Sequence, residues 1–479
     1  IASRVSMDNT TGLPMGGDIY RPLPGVINTD GRISFKAMGK VNTGGITAGN
    51  DGLLMTDTSG ILRVVAQESM GMLDGGSLSG SYISVLLTNS GKTITHERYS
   101  GASASSDFGY MISENGVTME VLSREGDAAT GGGTFTGHAA RPVIDGMDRT
   151  YFHGMLAGAA ANQNCGVWYD ESGTISVLAK EGEDAASLTD DPAWLGNFLA
   201  MTSAAGDGAA FIASLQNNPS NSRQKTAVAT NQAIFSGAPG SLDLVARKGT
   251  VIDGVGKLNS FHGLSRGGSG EHAFISLLKM DRTAPVVTMQ NDQVLMAEVA
   301  DSLHVVAREN TTEILPGLTP IRFGHFYMTG SGSLIFQTWL TGVGVSTVND
   351  SVICRWTTVD GIEILAREGD VAPGAGGSYG GFQVFSVSPG GAVALQSTMG
   401  TSAIIMKALP EGDMGFVVKT GQTLSFNGST RGILSLGIYQ TGTASGGGGG
   451  GLGSAINDEG AVFTVLSLGS QDYVARVYR

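Results

Sequence analysis

The chain has 479 residues, 74 of them glycine, and only 15% are charged, against about 25% in an ordinary globular protein. Glycine at that density disfavours helix interiors by up to about 1 kcal/mol each, which excludes a mainly helical fold; 41% hydrophobic residues exclude wholesale disorder, and glycines without a three-residue period exclude collagen. A net charge of −13 without any Lys/Arg cluster argues against nucleic acid, and no run of 18 or more apolar residues is available to cross a bilayer.

The chain opens IASRVSMDNT without an initiator Met. A removed export signal fits this start, as does an upstream stretch left out of the sequence; with low Lys content and abundant Gly, Ser, Thr and Asn, the expected location is extracellular, cell-surface or periplasmic. Residues Ile1 to Pro24 stand before the first repeated phrase and are expected to pack against the last repeat and help to close the fold.

From there one phrase returns along the chain: RVVAQESM from Arg63, EVLSREGD from Glu120, SVLAKEGE from Ser176, DLVARKGT from Asp243, HVVARENT from His304, EILAREGD from Glu363, FVVKTGQT from Phe416 and YVARVYR from Tyr473. Aligned on Val65, Leu122, Leu178, Val245, Val306, Leu365, Val418 and Val474, the copies are 57, 56, 67, 61, 59, 53 and 56 residues apart. A second phrase, a small-residue turn followed by a short apolar strand, precedes each copy. It reads NTDGRISF from Asn28, GGSGEHAF from Gly267, TGSGSLIF from Thr329, SPGGAVAL from Ser388 and NDEGAVF from Asn457, with weaker forms from Asn89, Gly146 and Ala204. The repeat units are then 1–70, 71–127, 128–183, 184–250, 251–310, 311–370, 371–422 and 423–479, in one domain spanning 1–479.

Each unit reads as four short strands; in the sixth they are IRFGHFYMT, SLIFQTWL, VNDSVICRWTT and GIEILAREG. No sustained 3.6-residue apolar period competes with this reading. A lone four-stranded sheet cannot bury both faces, whereas radial repetition buries both. The expected fold is therefore all-β, a β-propeller of eight four-stranded blades of about 58 residues. Seven blades follow if the first or last unit is incomplete, and a parallel β-helix is the weaker architectural alternative.

The pattern NxxG…F followed by V-L-A-R-E-G-D resembles the bacterial choice-of-anchor tandem repeat family named for its NxxGxxAF motif. Asn28, Gly31 and Phe35 match that motif, as do Asn457 and Gly460 with Phe463 one residue early. The resemblance covers nearly the whole chain and implies export and a repeat-built β structure. It implies no established catalytic residues.

Candidate chemistry is sparse. Cys165 and Cys354 lie in the similar contexts NQNCGVW and SVICRW, on third strands three blades apart, too far for a disulfide, so two buried free thiols are expected beside Trp168 and Trp356. His138, His262 and His325 fall near the starts of their units, where an innermost strand could bring imidazoles to the channel, although strand parity turns His325 away from the other two. The phrases Arg124-Glu125-Gly126-Asp127, Lys180-Glu181-Gly182-Glu183 and Arg367-Glu368-Gly369-Asp370 read as exposed turns after an edge strand in preference to calcium loops. Ser445 to Gly453 reads SGGGGGGLG, a flexible loop by composition. No zinc-protease helix, phosphate-binding loop, dinucleotide fingerprint or sialidase-type Asp box is present.

His262, Arg266, Arg322, His325 and Tyr327, in the adjacent fifth and sixth units, are the one place where groups suited to binding or polysaccharide chemistry gather. They are the candidate binding residues; no catalytic or metal-ligating residue is named. The leading expectation is an exported, non-catalytic propeller presenting a loop-built face to a protein or glycan, as a subunit of a surface or extracellular assembly. The rival is a secreted polysaccharide lyase or glycoside hydrolase with its site on the axial face. Neither reading requires a cofactor, and both leave room for a structural or channel-bound cation such as calcium.

Overall fold

The computed structural model describes residues 2–4, 19–58, 61–71, 76–138, 141–189, 192–221, 223–283, 285–426, 429–439, 454–468 and 471–477. They form eight antiparallel blade sheets that follow one another along the chain, an eight-bladed β-propeller, with one two-stranded ribbon, Val371–Ala372 against Gly377–Ser378, between the sixth and seventh blades. In the fourth blade the strands are Trp194–Ser203, Ala209–Gln216, Gln232–Ala238 and Ser241–Arg247; in the sixth they are Leu318–Met328, Leu334–Gly342, Ser351–Thr357 and Gly361–Arg367. First strands of neighbouring blades approach one another, Trp194–Ser203 against Gly256–Arg266 and the latter against Leu318–Met328, which makes them the innermost strands.

The sequence pattern explains the packing. A strand sends alternate side chains to opposite faces, and each blade is covered on both faces by its neighbours, so central strands read as nearly continuous apolar runs. In AAFIASLQ, Phe211, Ala213 and Leu215 join the core with the third blade, while Ala210 and Ile212 join the core with the fifth. One such cluster lies at every blade junction. The junction of first and last blades is closed by Phe35 and Phe463, both fully buried with ring centroids 5.8 Å apart.

The two repeated phrases have separate structural duties. The turn phrase connects first to second strand, always through five residues: 28–32, 88–92, 145–149, 204–208, 267–271, 329–333, 388–392 and 457–461. In six of these the leading side chain caps the turn, its oxygen accepting the amide four residues on. The pairs are Asn28 with Arg32, Thr88 with Lys92, Asp145 with Arg149, Thr329 with Ser333, Ser388 with Ala392 and Asn457 with Ala461, at 2.8–3.2 Å. Neighbouring turns also bond to one another. The amide of Gly146 donates to Gly206 O at 2.7 Å, that of Gly330 to Pro389 O at 2.8 Å, and Asn457 Nδ2 reaches Thr29 O across the first–last junction at 3.2 Å.

The closing phrase is the fourth strand and the turn that follows it. Gly126, Gly182, Gly249, Gly369 and Gly421 all have φ between 83° and 94°, where a side chain would be strained; each donates its amide at 2.7–2.8 Å, Gly369 to Tyr379 O just before the next blade and the others to the next blade's inner strand. Glu183 and Asp370 are exposed as expected, but the glutamate before the glycine of this phrase is not an exposed gatekeeper. Glu181 is buried and accepts the Asn164 amide at 2.9 Å, Glu68 accepts that of Gly52 at 3.1 Å, and burial raises the carboxyl pKa of Glu125, Glu309 and Glu368. They secure the start of the third strand inside their own blade.

The last copy of the closing phrase is a correction. Gln471–Val477, which contains Tyr473-Val474-Ala475-Arg476, is the third strand of the eighth blade, after Ser429–Gly437 and Val462–Leu468. The fourth position is taken from the other end of the chain, with Ala2, Ser3 and Arg4 pairing antiparallel to Val477, Arg476 and Ala475. The expected contact of the N-terminal stretch with the last blade is thus a strand completing that blade's sheet.

Candidate functional site

The alternation of strand direction places the five-residue turns and the third-to-fourth-strand turns on one face of the disc, and the remaining connections on the other. The first face is built from tight, mutually bonded turns. The second carries the long segments 40–51, 217–231 and 279–292 between second and third strands, and 181–193, 309–317 and 368–381 between blades. This loop face is uneven, because in the seventh blade the second and third strands are joined by residues 400–401 alone.

The five residues expected to form a site occupy the two innermost strands expected of them, yet each is held by a different partner. His262 is exposed, with Nε2 2.9 Å from Ser260 Oγ. Arg266 is buried at the turn end of its strand, where its guanidinium donates to Ser236 Oγ at 3.1 Å and to the carbonyls of Gly208 and Asp207 at 3.4 and 2.6 Å. Arg322 is exposed and lies over the Trp339 ring, 3.8 Å from its centroid. His325 sits 6.4 Å from the Phe385 ring in the next blade, where burial lowers its pKa. Tyr327 is buried and donates its hydroxyl to Phe385 O at 3.4 Å. Arg266 and Tyr327 are therefore inter-blade ties, and the accessible members are His262, Arg322 and the half-buried His325.

The third axial histidine lies elsewhere. His138 packs between the second and third blades, against Tyr110, Phe135 and Phe152 at 5.0–5.8 Å between ring centroids, with Nε2 2.8 Å from Ser123 Oγ. Its pKa is depressed to about 3, first by burial and then by His96 and His153. Among the described residues no three His, Cys, Asp or Glu side chains gather as metal ligands. Cys165 and Cys354 are buried and free, on third strands as expected. Their phrases do not superpose, however. Gly166 pairs with Lys180 and Val352 with the equivalent Arg367, so Cys354 corresponds to Trp168 and Cys165 to Ser351. Cys165 faces the following blade and Cys354 the preceding one. Ser445 to Gly453 lies outside the described residues.

Sequence reasoning missed two buried carboxylates, one in a five-residue turn and one midway along a second strand. Asp145 is fully buried; its carboxylate accepts from the Met147 and Arg149 amides, the Arg149 side chain, Tyr151 Oη and the Gly208 amide, and Arg149 continues to Asp207. Glu97, equally buried, accepts from the amides and hydroxyls of Ser79 and Ser81 and the amide of Tyr82, where the inner strand of the second blade is interrupted. Both carboxylates have enough donors to be stable without a ligand.

The accessible chemistry of the loop face lies over the fourth to sixth blades. Val228, Val251, Met280, Val286, Met289, Val343, Val348 and Val371 are all more than half exposed there, Val343 at 99%. Exposed Arg223, Lys225, Lys257, Lys279 and Arg282 stand among them with exposed Asp253, Asp281, Glu313 and Asp370, close to charge balance. The turn face is acidic: its turns expose Asp30, Asp207, Asp458 and Glu459, and also Glu114, Glu171, Asp301, Asp360, Glu411 and Asp413. Much of the net charge of −13 is thus carried by the turn face.

A family model described as a family of unknown function (DUF7453) matches residues 27–468. The chain belongs to that family. No curated protein matches it. Among solved structures it is similar to a Dos1 propeller, at 9% identity over 96% of this chain and 94% of that one, with a TM-score of 0.40. It is also similar to the β-propeller domain of the Trilobed protease from Pyrococcus furiosus, at 8% identity over 84% and 95% with a TM-score of 0.41, and to an ancestral GH74 enzyme, at 11% identity over 96% and 54% with a TM-score of 0.36. Among the described residues no helix is long and apolar enough to cross a membrane.

Proposed function

We propose that this member of the family is a non-catalytic binding propeller, exported from the cell, whose loop face over the fourth to sixth blades docks on a protein partner within a surface or extracellular assembly. The observation that carries the reading is the exposed set Val228, Met280, Met289, Val343 and Val348, on long loops, opposite a face of tight acidic turns. Apolar groups of this size on the loops of one region are a mark of macromolecular contact, and the near charge balance around them leaves apolar contact to dominate. Composition and the resemblance to exported choice-of-anchor repeat proteins support export. The polar groups expected to serve carbohydrate chemistry are divided between structural ties and separate surface positions, which favours binding over turnover.

The test is capture from the native source with the full chain, a loop-face variant carrying Val228→Asp, Met289→Asp and Arg282→Glu, and a turn-face variant carrying Asp30→Lys and Glu459→Lys. A polypeptide retained by wild type and the turn-face variant but lost by the loop-face variant is the expected result. Equal retention by all three, or turnover of a polysaccharide by the purified chain, would sink the reading.

A further inference from the structure

A cleft of about 460 Å³ opens on the turn side between the second and third blades, away from the loop face. Its lining comes from both blades: Lys92, Ile112, Glu114, Glu120, Val121 and Leu122 from the second, and Asp170 with the Ser172–Gly173 turn from the third. Lys92 Nζ stands 2.9 Å from Glu114 Oε2, so the one cation already has an anionic partner. Three carboxylates against one ammonium leave the cleft anionic.

Asp170 is what distinguishes this cleft from an acidic patch. It is only 2% exposed, and its Oδ1 meets no hydrogen-bond donor of the chain. The backbone amide of Gly173 serves the carboxylate, necessarily through the other oxygen. Thr150, directly across the strand pair and therefore on the same sheet face, is fully buried with an equally unpartnered Oγ1. Buried polar atoms almost always have a partner, and a bare carboxylate oxygen is costly enough that one lining a cleft points to a group that enters from outside. Burial accordingly raises the pKa of the Asp170 carboxyl; Glu114 and Glu171 add to the shift, and Lys92 and the Gly173 amide oppose it.

We propose that this cleft binds a primary alkylammonium group, with the ammonium at Asp170 Oδ1 and Glu120 and the methylene stem along Ile112, Val121 and Leu122. The charge selects a cation, and the three aliphatic side chains select an alkyl stem, the amphipathic character of a lysine side chain or a diamine. A divalent metal does not fit, since the carboxylates do not converge as a ligand set. A guanidinium fits less well, because its strongest, two-point contact uses both oxygens of one carboxylate and Asp170 has only one to give.

The experiment is calorimetric titration of the full chain with pentane-1,5-diamine, with N-acetyl-lysine methylamide, and with pentan-1-ol and ethylguanidine as controls, in low salt near neutral pH. We expect saturable diamine binding with a dissociation constant on the order of 1 mM and no binding of the alcohol. Asp170→Asn, nearly the same in volume, should weaken it about tenfold, and Glu120→Gln, at an exposed position with no folding role, by a smaller factor. Binding of the lysine derivative as well would identify the natural occupant as a side chain of a partner, and binding of the diamine alone a small molecule. Failure of both amines to bind wild type, equal binding by both variants, or equal binding of the alcohol would overturn the proposal. None of these outcomes bears on the loop face.

Discussion

Acidification should unfold this propeller from the junction of the second and third blades. His138 is ringed there by Tyr110, Phe135 and Phe152, its Nε2 is engaged with Ser123, and its Nδ1 has no partner to receive a second proton's bond. Burial, then His96 and His153, depresses its pKa from the ordinary 6.5 to about 3. A lowered histidine pKa means that the unfolded chain binds the proton more readily. The contribution is fully present above pH 6.5 and is lost as pH falls toward 3. In that window one site costs about 1.4 kcal/mol per pH unit, so lowering pH from 7 to 4 removes about 3 kcal/mol, a large share of the roughly 5–15 kcal/mol typical of a folded protein. His153, also depressed by burial, acts in the same direction. The assay is urea unfolding at pH 7, 6, 5 and 4 for wild type and His138→Gln. The variant starts less stable, and the gap should narrow by about 1.4 kcal/mol for each unit below pH 6. Parallel curves for the two proteins would refute the assignment of this acid sensitivity to His138.

Other measurements probe the scaffold directly. Burial holds the Cys165 thiol up at about 12 and raises that of Cys354 as well, so a thiol-exchange reagent at neutral pH should find no reactive thiol in the native protein and two after denaturation; rapid native labelling of either would contradict their placement. Gly206→Ala would drive a methyl group into the carbonyl oxygen of Gly268 in the neighbouring turn and should cost about 2 kcal/mol by thermal unfolding, whereas at Gly415 the added carbon meets only Lys407 O at 3.8 Å and little change is expected. Removing residues 1–4 deletes the fourth strand of the eighth blade and should cost about 2–3 kcal/mol, with faster amide exchange in Gln471–Val477. Unchanged exchange in that strand would show that the N-terminal pairing is dispensable.

The blades were legible because each one needs the same two turns. A five-residue capped turn and a positive-φ glycine after the fourth strand are local requirements, so they leave short phrases at regular intervals. Even the irregularities carry structure. The longest interval, 67 residues, ends at Val245 and spans the blade that holds the 217–231 loop, and the shortest, 53, ends at Val418 and spans the blade whose equivalent connection is 400–401. The misreadings arose where short strands look alike. VARV in the last strand imitates VLAR, and CGVW imitates CRW, but hydrogen-bond register separates each pair. The candidate site was less legible for a different reason. Arg266 and Tyr327 are polar because neighbouring blades need tying together, a demand that sequence does not distinguish from binding. The cleft at Asp170 joins residues from 92 to 173 whose proximity exists only once two blades have packed.

The pairing of residues 2–4 with 475–477 also bears on how the molecule is made. Seven sheets draw all their strands from one continuous stretch of chain and can form behind a ribosome in order of synthesis. The eighth cannot be finished until Gln471–Val477 has appeared, because its outer strand precedes all seven other blades in the chain. That strand must remain unpaired throughout elongation. The entropy of closing so long a loop is modest, since each doubling of length adds only about 0.6 kcal/mol, and the penalty falls further once the intervening blades have folded and brought the two ends near. The risk is kinetic: an open eighth sheet exposes the edge of Gln471–Val477, to which the N-terminal strand of another newly made chain can add. Misassembly in this protein should therefore take the form of exchanged first strands, with the other seven blades intact.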